Sequence, residues 1–189
     1  MTLSALGIFS AAGAGGVVAG SYDLLETQIL GSSQNSITFS SLGTYASDYK
    51  HLQIRATTRV AAASTGATLT FRLNGDTGSN YSSHEISGNG SAVTSYGEAN
   101  VTRGFFGVSP GSSSTANVFG SIVFDLLDPF STTKNKTSRS LGGQTSGNFV
   151  YLYSSSHRST ASATSIQIFH VSGSDFVTGT RMSLYGIKG

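Results

Sequence analysis

Apolar and polar residues alternate with a period of two through most of this chain, and no other feature limits its fold as strongly. Leu52, Ile54 and Ala56, for example, alternate with polar neighbours, as residues of a half-buried β-strand do. The segments with the clearest alternation are 50–60, 67–74, 116–127, 148–153, 164–171 and 175–187. Further candidate strands are 22–30, 36–42, 81–86, 92–101 and 138–145.

Turn sequences separate these segments. Asn and Gly cluster at 74–76 and 87–90, a Ser-Pro-Gly-Ser run occupies 109–112, and an Asp-Pro pair follows at 128–129. No segment has the 3.6-residue period of an amphipathic helix. About eight to ten short strands with turns between them predict an all-β fold. We expect a jelly-roll-like antiparallel β-sandwich over residues 21–189.

The composition supports strands and excludes several classes of protein. Ser, Thr and Gly account for 34, 21 and 24 of the 189 residues, and Ser and Gly are poor residues for a helix interior. The chain has no Cys, so disulfides and Cys-ligated metal sites are excluded. The 11 basic residues stand against 9 acidic ones and form no cluster. We therefore predict no nucleic-acid partner.

The first 20 residues differ from the rest, because they carry no charge and are rich in Gly and Ala. The segment lacks the basic start of a signal peptide, and its glycines interrupt the roughly 20 apolar residues that a membrane-spanning helix needs. We predict an extended N-terminal arm over residues 1–20 that packs on another subunit or particle, with no membrane partner. A signal peptide and an unattached terminus are the alternatives. The side chains expected to anchor the arm are Leu3, Leu6, Ile8 and Phe9.

The motifs of common enzymes are missing. The G-x-S-x-G turn of many serine hydrolases does not occur, nor do the glycine-rich phosphate loops of nucleotide-binding proteins. The carboxylates are scattered rather than paired for acid–base catalysis. The sequence therefore predicts a protein that is not an enzyme, with no catalytic residue and no cofactor.

Two polar groups are candidates for binding. Asn74, Asp76 and Asn80 have a spacing that partly resembles a calcium loop, although the final bidentate Glu is lacking. A turn in which these side chains bond the backbone is the alternative. Arg55 and Arg59 share a strand face in the predicted pattern, and with an arginine at position 72 they would form a basic stripe facing an acidic partner. Ordinary solvation or cross-strand pairing is the alternative.

Several segments resemble a module of tailed-phage virion proteins. The most specific is 71–84, which reads Phe-Arg-Leu-Asn-Gly-Asp-Thr-Gly-Ser-Asn-Tyr-Ser-Ser-His. Segments 49–55, 21–26, 184–188 and 3–8 are also similar to it. The resemblance is to small tail- or fibre-associated proteins, especially of aquatic and cyanobacterial phages. It covers almost the whole chain except residues 92–115, and it implies a virion location without any catalytic residue.

Together, the residues and the resemblance predict a non-enzymatic virion structural protein. We expect a tail appendage, meaning a fibre, baseplate-associated or host-adhesion subunit, anchored by its arm. Its expected partners are other virion proteins and two further copies in a homotrimer, since closed symmetry is usual for such assemblies. Tyr-, Ser- and Asn-rich loops suggest contact with a host surface glycan. A capsid decoration protein is one alternative, and a free carbohydrate-binding module or glycan hydrolase is another.

Overall fold

A computed structural model describes residues 20–189 of the chain, and these residues form twelve β-strands and one short 3₁₀ helix. The strands are Tyr22–Ile29 (β1), Ser36–Phe39 (β2), His51–Thr58 (β3), Ala67–Leu73 (β4), Tyr81–Gly88 (β5), Val93–Val101 (β6), Gly104–Ser109 (β7), Gly120–Leu127 (β8), Lys136–Gln144 (β9), Phe149–His157 (β10), Ile166–His170 (β11) and Arg181–Ile187 (β12). The 3₁₀ helix, Leu42–Tyr45, lies between β2 and β3.

The strands form two antiparallel sheets. The larger has the order β1-β12-β3-β8-β9-β10-β5-β6, and the smaller has the order β2-β11-β4-β7. When the hairpins β5–β6 and β9–β10 are set aside, eight strands remain. Numbered along the chain, they pair as first-eighth-third-sixth and second-seventh-fourth-fifth. This is the strand order of a jelly roll, so the prediction of a jelly-roll-like antiparallel β-sandwich is confirmed.

The two hairpins are insertions in this eight-stranded pattern. Hairpin β5–β6 lies between β4 and β7 along the chain, and hairpin β9–β10 lies between β8 and β11. Strand β9 pairs with β8, and β10 pairs with both β9 and β5. The hairpins therefore extend the larger sheet by four strands beyond β8, and β6 becomes its outer edge. We call these four strands the inserted hairpins.

Aromatic rings fill the space between the sheets. The Phe71 ring of β4 packs edge-on against Phe124 of β8, with 5.0 Å between ring centroids. Phe106 of β7 lies 4.9 Å from the same Phe124 ring. All three side chains are buried, and burial of each large apolar side chain contributes roughly 1.5–3 kcal/mol to folding. The predicted alternation along β4 and β8 brings Phe71 and Phe124 to the inner faces.

Strand β7 was not predicted, and its surroundings explain why. Its sequence, Gly-Phe-Phe-Gly-Val-Ser, does not alternate, and every residue in it is buried. The inserted hairpins of the larger sheet cover this edge of the smaller sheet, since Phe105 of β7 packs on Tyr153 of β10. The Phe105 N–H donates to the hydroxyls of Ser83 and Ser155, at 3.2 and 3.1 Å. A strand buried on both faces carries no period-two signal.

Several predicted strands are shorter in the structure. Segment 36–42 ends as a strand at Phe39, because the chain turns into the 3₁₀ helix. Segment 116–127 begins as a strand only at Gly120, since the Arg59 guanidinium holds the preceding loop through the carbonyls of residues 114, 115 and 118 at 2.8–3.1 Å. Segment 175–187 begins as a strand at Arg181, and Phe176 instead forms isolated bridges.

Close packing in the larger sheet leads to a test of the fold. A Cβ atom added at Gly142 would overlap the Tyr151 hydroxyl and the backbone carbonyl of Ser121. We expect Gly142→Ala to lower the free energy of unfolding by about 1–3 kcal/mol, because overpacking forces side chains and backbone to shift. Urea unfolding measures the change. Gly31→Ala is the matched control, since nothing lies within 4 Å of a Cβ there, and an equal loss in both variants contradicts this packing.

Candidate functional site

An uncharged aliphatic surface covers part of the outer face of β8 and the inserted hairpins. The strand registers place residue 123 opposite 141, residue 141 opposite 152, and residue 152 opposite 86, so one row crosses four neighbouring strands. The next row adds residues 150 and 93 on either side of Gly88. These six side chains are 39% to 74% exposed. The outer apolar patch consists of Ile86, Val93, Val123, Leu141, Val150 and Leu152.

A groove runs beside the outer apolar patch, toward β12. Its floor consists of the small residues Thr57, Ser121 and Gly143, which are paired in one row across β3, β8 and β9. The groove has a volume of about 790 Å³, and Arg181 and Tyr185 line it on the side of β12. Small residues on the outward face of neighbouring strands leave this space open, because they cannot fill it. The outer surface is therefore concave next to the patch.

Polar residues of β1, β3, β8 and β9 form a hydrogen-bonded network on another part of the outer face. The Tyr22 hydroxyl donates to Gln53 at 2.7 Å, and the Gln53 amide donates to Asp125 at 2.7 Å. Arg139 donates to the same carboxylate at 2.9 Å. Tyr22 also stacks on Tyr185, with 4.9 Å between centroids. This network holds the polar side chains of the outer face in place. It borders the outer apolar patch on β8 and β9.

The three arginines of the predicted basic stripe lie at separate places. Arg55 lies over the rings of Tyr22 and Tyr185 on the outer face. Arg59 lies beyond the end of β3 and bonds loop carbonyls. Arg72 belongs to the smaller sheet, where it donates to the carbonyl of residue 102 at 3.0 Å. The hypothesis of one basic stripe was therefore wrong, because Arg59 does not continue the strand and Arg72 is in the other sheet.

A second, smaller apolar area lies at the opposite edge of the larger sheet. Leu24 and Ile29 of the edge strand β1 are 55% and 63% exposed. We call these two side chains the β1 apolar edge. The larger sheet thus has exposed aliphatic side chains toward both of its edges, with the groove and other polar residues between them.

Residues 76, 80 and 81 form a structural cluster with His157, which is 81 positions from Asp76. Asp76 accepts a hydrogen bond from Asn80 at 2.9 Å and contacts the His157 Nε2 atom at 2.7 Å. The Tyr81 ring stacks on the His157 imidazole, with 4.4 Å between centroids. The Tyr81 hydroxyl accepts the Leu73 N–H at 3.0 Å. The Asp76 cluster, which we define as Asp76, Asn80, Tyr81 and His157, therefore joins the turn after β4 to the end of β10.

The structure does not bring together the three candidate calcium ligands. The Asn74 side chain points to another loop, where its oxygen accepts the Thr164 N–H at 2.7 Å and its amide donates to the carbonyl of residue 162. Asp76 instead accepts from the Gly78 N–H at 2.7 Å and from Asn80. These are bonds of the turn that was the alternative interpretation. Within residues 20–189, no group of three or more His, Asp or Glu side chains is placed to hold a metal ion.

The Asp76 cluster predicts a dependence of stability on acid pH. The hydrogen bond from His157, followed by those from Asn80 and the Gly78 N–H, lowers the pKa of Asp76 from 3.8 to about 2. A carboxyl group with a lowered pKa stabilises the fold above its unfolded-state pKa, and this contribution is lost as the pH falls from about 4 to 2. Because the Asp76 side chain is 24% exposed, we expect a loss of about 1–2 kcal/mol rather than the full shift.

Urea unfolding at pH 5, 4, 3 and 2 measures this contribution. Asp76→Asn should remove the part of the pH dependence that lies between about pH 4 and 2. Asp48→Asn, at an exposed carboxyl group, is the control and should leave the dependence unchanged. An Asp76→Asn variant with the wild-type pH profile contradicts the assignment.

The predicted anchoring residues Leu3, Leu6, Ile8 and Phe9 lie outside the described residues, as does nearly all of the predicted arm. No protein-family model matches this sequence, and a comparison with curated proteins finds no match. None of the helical segments in the described part of the chain is long and apolar enough to cross a membrane.

Proposed function

We propose that this protein is a non-enzymatic structural subunit of a tailed-phage virion. It is a tail appendage, that is, a fibre, baseplate-associated or host-adhesion subunit. It assembles as a homotrimer through the outer face of its larger sheet, and its N-terminal arm attaches it to other virion proteins. A host surface glycan is a further proposed partner.

The outer apolar patch is the observation that carries the proposed assembly. Exposed apolar surfaces of this kind mark protein–protein contacts. Over β8, β9, β10, β5 and β6, the two rows that contain the patch hold only aliphatic residues, Ser and Gly. A partner that covers the patch must itself present uncharged surface, since burial of an unpaired charge is costly. Another copy of this charge-poor chain meets that condition.

The β1 apolar edge is the surface of the second copy that we expect to cover the outer apolar patch. Leu24 and Ile29 lie on an edge strand at the opposite end of the sheet from the outer apolar patch. Contact between the β1 apolar edge of one copy and the patch of the next is head-to-tail. Such contacts close into a ring when the rotation between copies allows it. A threefold ring covers both apolar areas on every copy.

The virion setting is supported by the sequence resemblance and by the arm. The jelly roll occurs in viral capsid and lectin domains, but a fold alone does not define a function. The Asp76 cluster gives the most specific part of the resemblance a structural role, since it joins the β4–β5 turn to β10. The uncharged arm can pack between subunits without the cost of burying ions.

Removal of the arm tests the proposed attachment. We expect a chain without residues 1–20 to keep the β-sheet circular dichroism spectrum and to be lost from purified particles. A full-length variant with Leu3, Leu6, Ile8 and Phe9 replaced by Ser is the length-matched comparison, and it should be lost equally. Normal incorporation of either variant, measured by quantitative mass spectrometry of particles, contradicts attachment through the arm.

A further inference from the structure

The inserted hairpins also enclose a pocket on the inner side of the larger sheet. It has a volume of about 330 Å³, which is within the range of small-ligand sites. Hairpin β5–β6 contributes Glu85, hairpin β9–β10 contributes Gln144, Phe149 and Tyr153, and the segment before β4 contributes Thr65. We call this space the inner pocket. Both inserted hairpins are needed to form it, so it is an addition to the basic eight-stranded fold.

Gln144 lines the inner pocket and holds a buried hydrogen-bond acceptor that has no partner among the described residues. The residue is 8% exposed, and its Nε2 group donates to the Thr65 carbonyl at 3.1 Å. The buried Oε1 atom has no hydrogen-bond partner in the described part of the chain. Buried polar atoms are nearly always paired, and an amide oxygen can pair only with a donor. This atom therefore favours a ligand that carries N–H or O–H groups.

Glu85 adds a negative charge that no cation balances. It is half-buried and lies directly opposite Tyr153 in the β5–β10 ladder. Among residues 20–189 it forms no ion pair, and no Lys, Arg or His lines the inner pocket. Burial, and secondarily the charge of Glu85, raises the pKa of Tyr153. The phenol therefore stays neutral and does not add to the negative charge.

Apolar side chains form part of the walls of the inner pocket. Phe149 and Tyr153 are aromatic, and Val108 is aliphatic. Aromatic rings attract cations, and a carboxylate forms its strongest hydrogen bonds with charged donors. A single carboxylate beside an unpaired amide oxygen and aromatic rings matches a small organic cation better than an anion or a neutral apolar molecule.

We propose that the inner pocket binds an alkylammonium or guanidinium group, with Glu85 as its charge partner and Gln144 Oε1 as a second acceptor. Phe149 lies along the apolar part of the ligand. The group has two sources, a free polyamine or a Lys or Arg side chain of a neighbouring protein, and the chemistry is the same for both. This inference does not depend on the proposed assembly, because the inner pocket is on the opposite side of the sheet from the outer apolar patch.

Nuclear magnetic resonance titration of the full chain tests the proposal. The probes are 1,5-diaminopentane, Nα-acetyl-lysine amide and 1,5-pentanediol, which has the length of the diamine but no charge. We expect saturable shifts of the Gln144 side-chain amide and of backbone signals at 85 and 149 with a cationic probe, and none with the diol. Binding of the diamine alone assigns a free polyamine, and binding of the lysine derivative assigns a protein side chain; both support the proposal.

The Glu85→Gln variant makes the test specific, because it keeps the shape of the side chain and removes its charge. A hydrogen bond to a charged group contributes about 1.5–3 kcal/mol, so we expect Kd to rise about tenfold or more. Asp48→Asn is the control and should bind as the wild type does. The proposal is overturned if no cationic probe binds saturably, if the diol binds equally well, or if Glu85→Gln binds the cation with unchanged affinity.

Discussion

Leu141→Arg is expected to convert the proposed trimer to monomers without unfolding the chain. Leu141 is 56% exposed at the centre of the outer apolar patch, so arginine is tolerated in a single copy. In the assembly, the guanidinium would be buried against aliphatic side chains, and an unpaired buried charge costs several kcal/mol. A cost of about 3 kcal/mol raises the dissociation constant more than 100-fold. Analytical ultracentrifugation over a range of concentrations measures the change.

Val171→Arg is the matched control, because Val171 is 38% exposed but lies in neither apolar area. It should assemble as the wild type does. A Leu141→Arg protein that still assembles normally, with an unchanged circular dichroism spectrum, contradicts the role of the outer apolar patch.

A mixing experiment separates head-to-tail contact from symmetric contact. Ile29→Arg should also give monomers, because Ile29 belongs to the β1 apolar edge. A Leu141→Arg copy retains a functional β1 apolar edge, and an Ile29→Arg copy retains a functional patch. Mixed together, the two variants should form one-to-one dimers and nothing larger. If the mixture stays monomeric, the head-to-tail arrangement is wrong.

His157→Ala is expected to give one of the largest losses of stability for a single substitution in this chain. The His157 side chain is 4% exposed, contacts Asp76 at 2.7 Å and stacks on Tyr81. Its removal leaves a cavity and takes the His157 contact from the Asp76 carboxylate, which keeps only the hydrogen bonds from Gly78 and Asn80. Because Asp76 remains partly exposed, we expect a loss of about 2–4 kcal/mol, which is a large part of the stability of a typical domain.

His84→Ala is the control for this prediction, since His84 is exposed on the neighbouring strand β5. Surface substitutions of this kind usually change stability by less than about 0.5 kcal/mol. Urea unfolding at pH 7 compares the two variants. Equal effects would mean that the Asp76 cluster does not hold the β4–β5 turn to β10.

The sequence was informative about strands that have one buried face. In β3, Leu52, Ile54 and Ala56 are buried, as the alternation predicts. One face of the strand packs on the core and the other faces solvent, so apolar and polar residues alternate along it. The same reasoning failed at β7, where all residues are buried. It also could not distinguish the eight strands of the jelly roll from the inserted hairpins. That distinction depends on pairing between distant segments such as β5 and β10.

The candidate sites were harder to predict, because each depends on contacts between distant parts of the chain. Residues 149–153 are five consecutive apolar residues. Such a run could have predicted a strand that is apolar on both faces. Tyr151 and Tyr153 are buried as expected, whereas Val150 and Leu152 form part of the outer apolar patch. Asp76 and His157 are 81 positions apart, and no local pattern connects them. Glu85 and Gln144 also meet only through the fold.

The most direct test of the proposed function is a cryo-electron microscopy reconstruction of the intact particle in which this chain is traced. We predict density for the jelly roll on the tail, in three copies around a symmetry axis. The outer apolar patch of each copy should be covered by the β1 apolar edge of the next, and residues 1–20 should lie against another virion protein. Density on the head alone would instead support a capsid decoration protein, and absence of the chain from the particle would contradict a virion role.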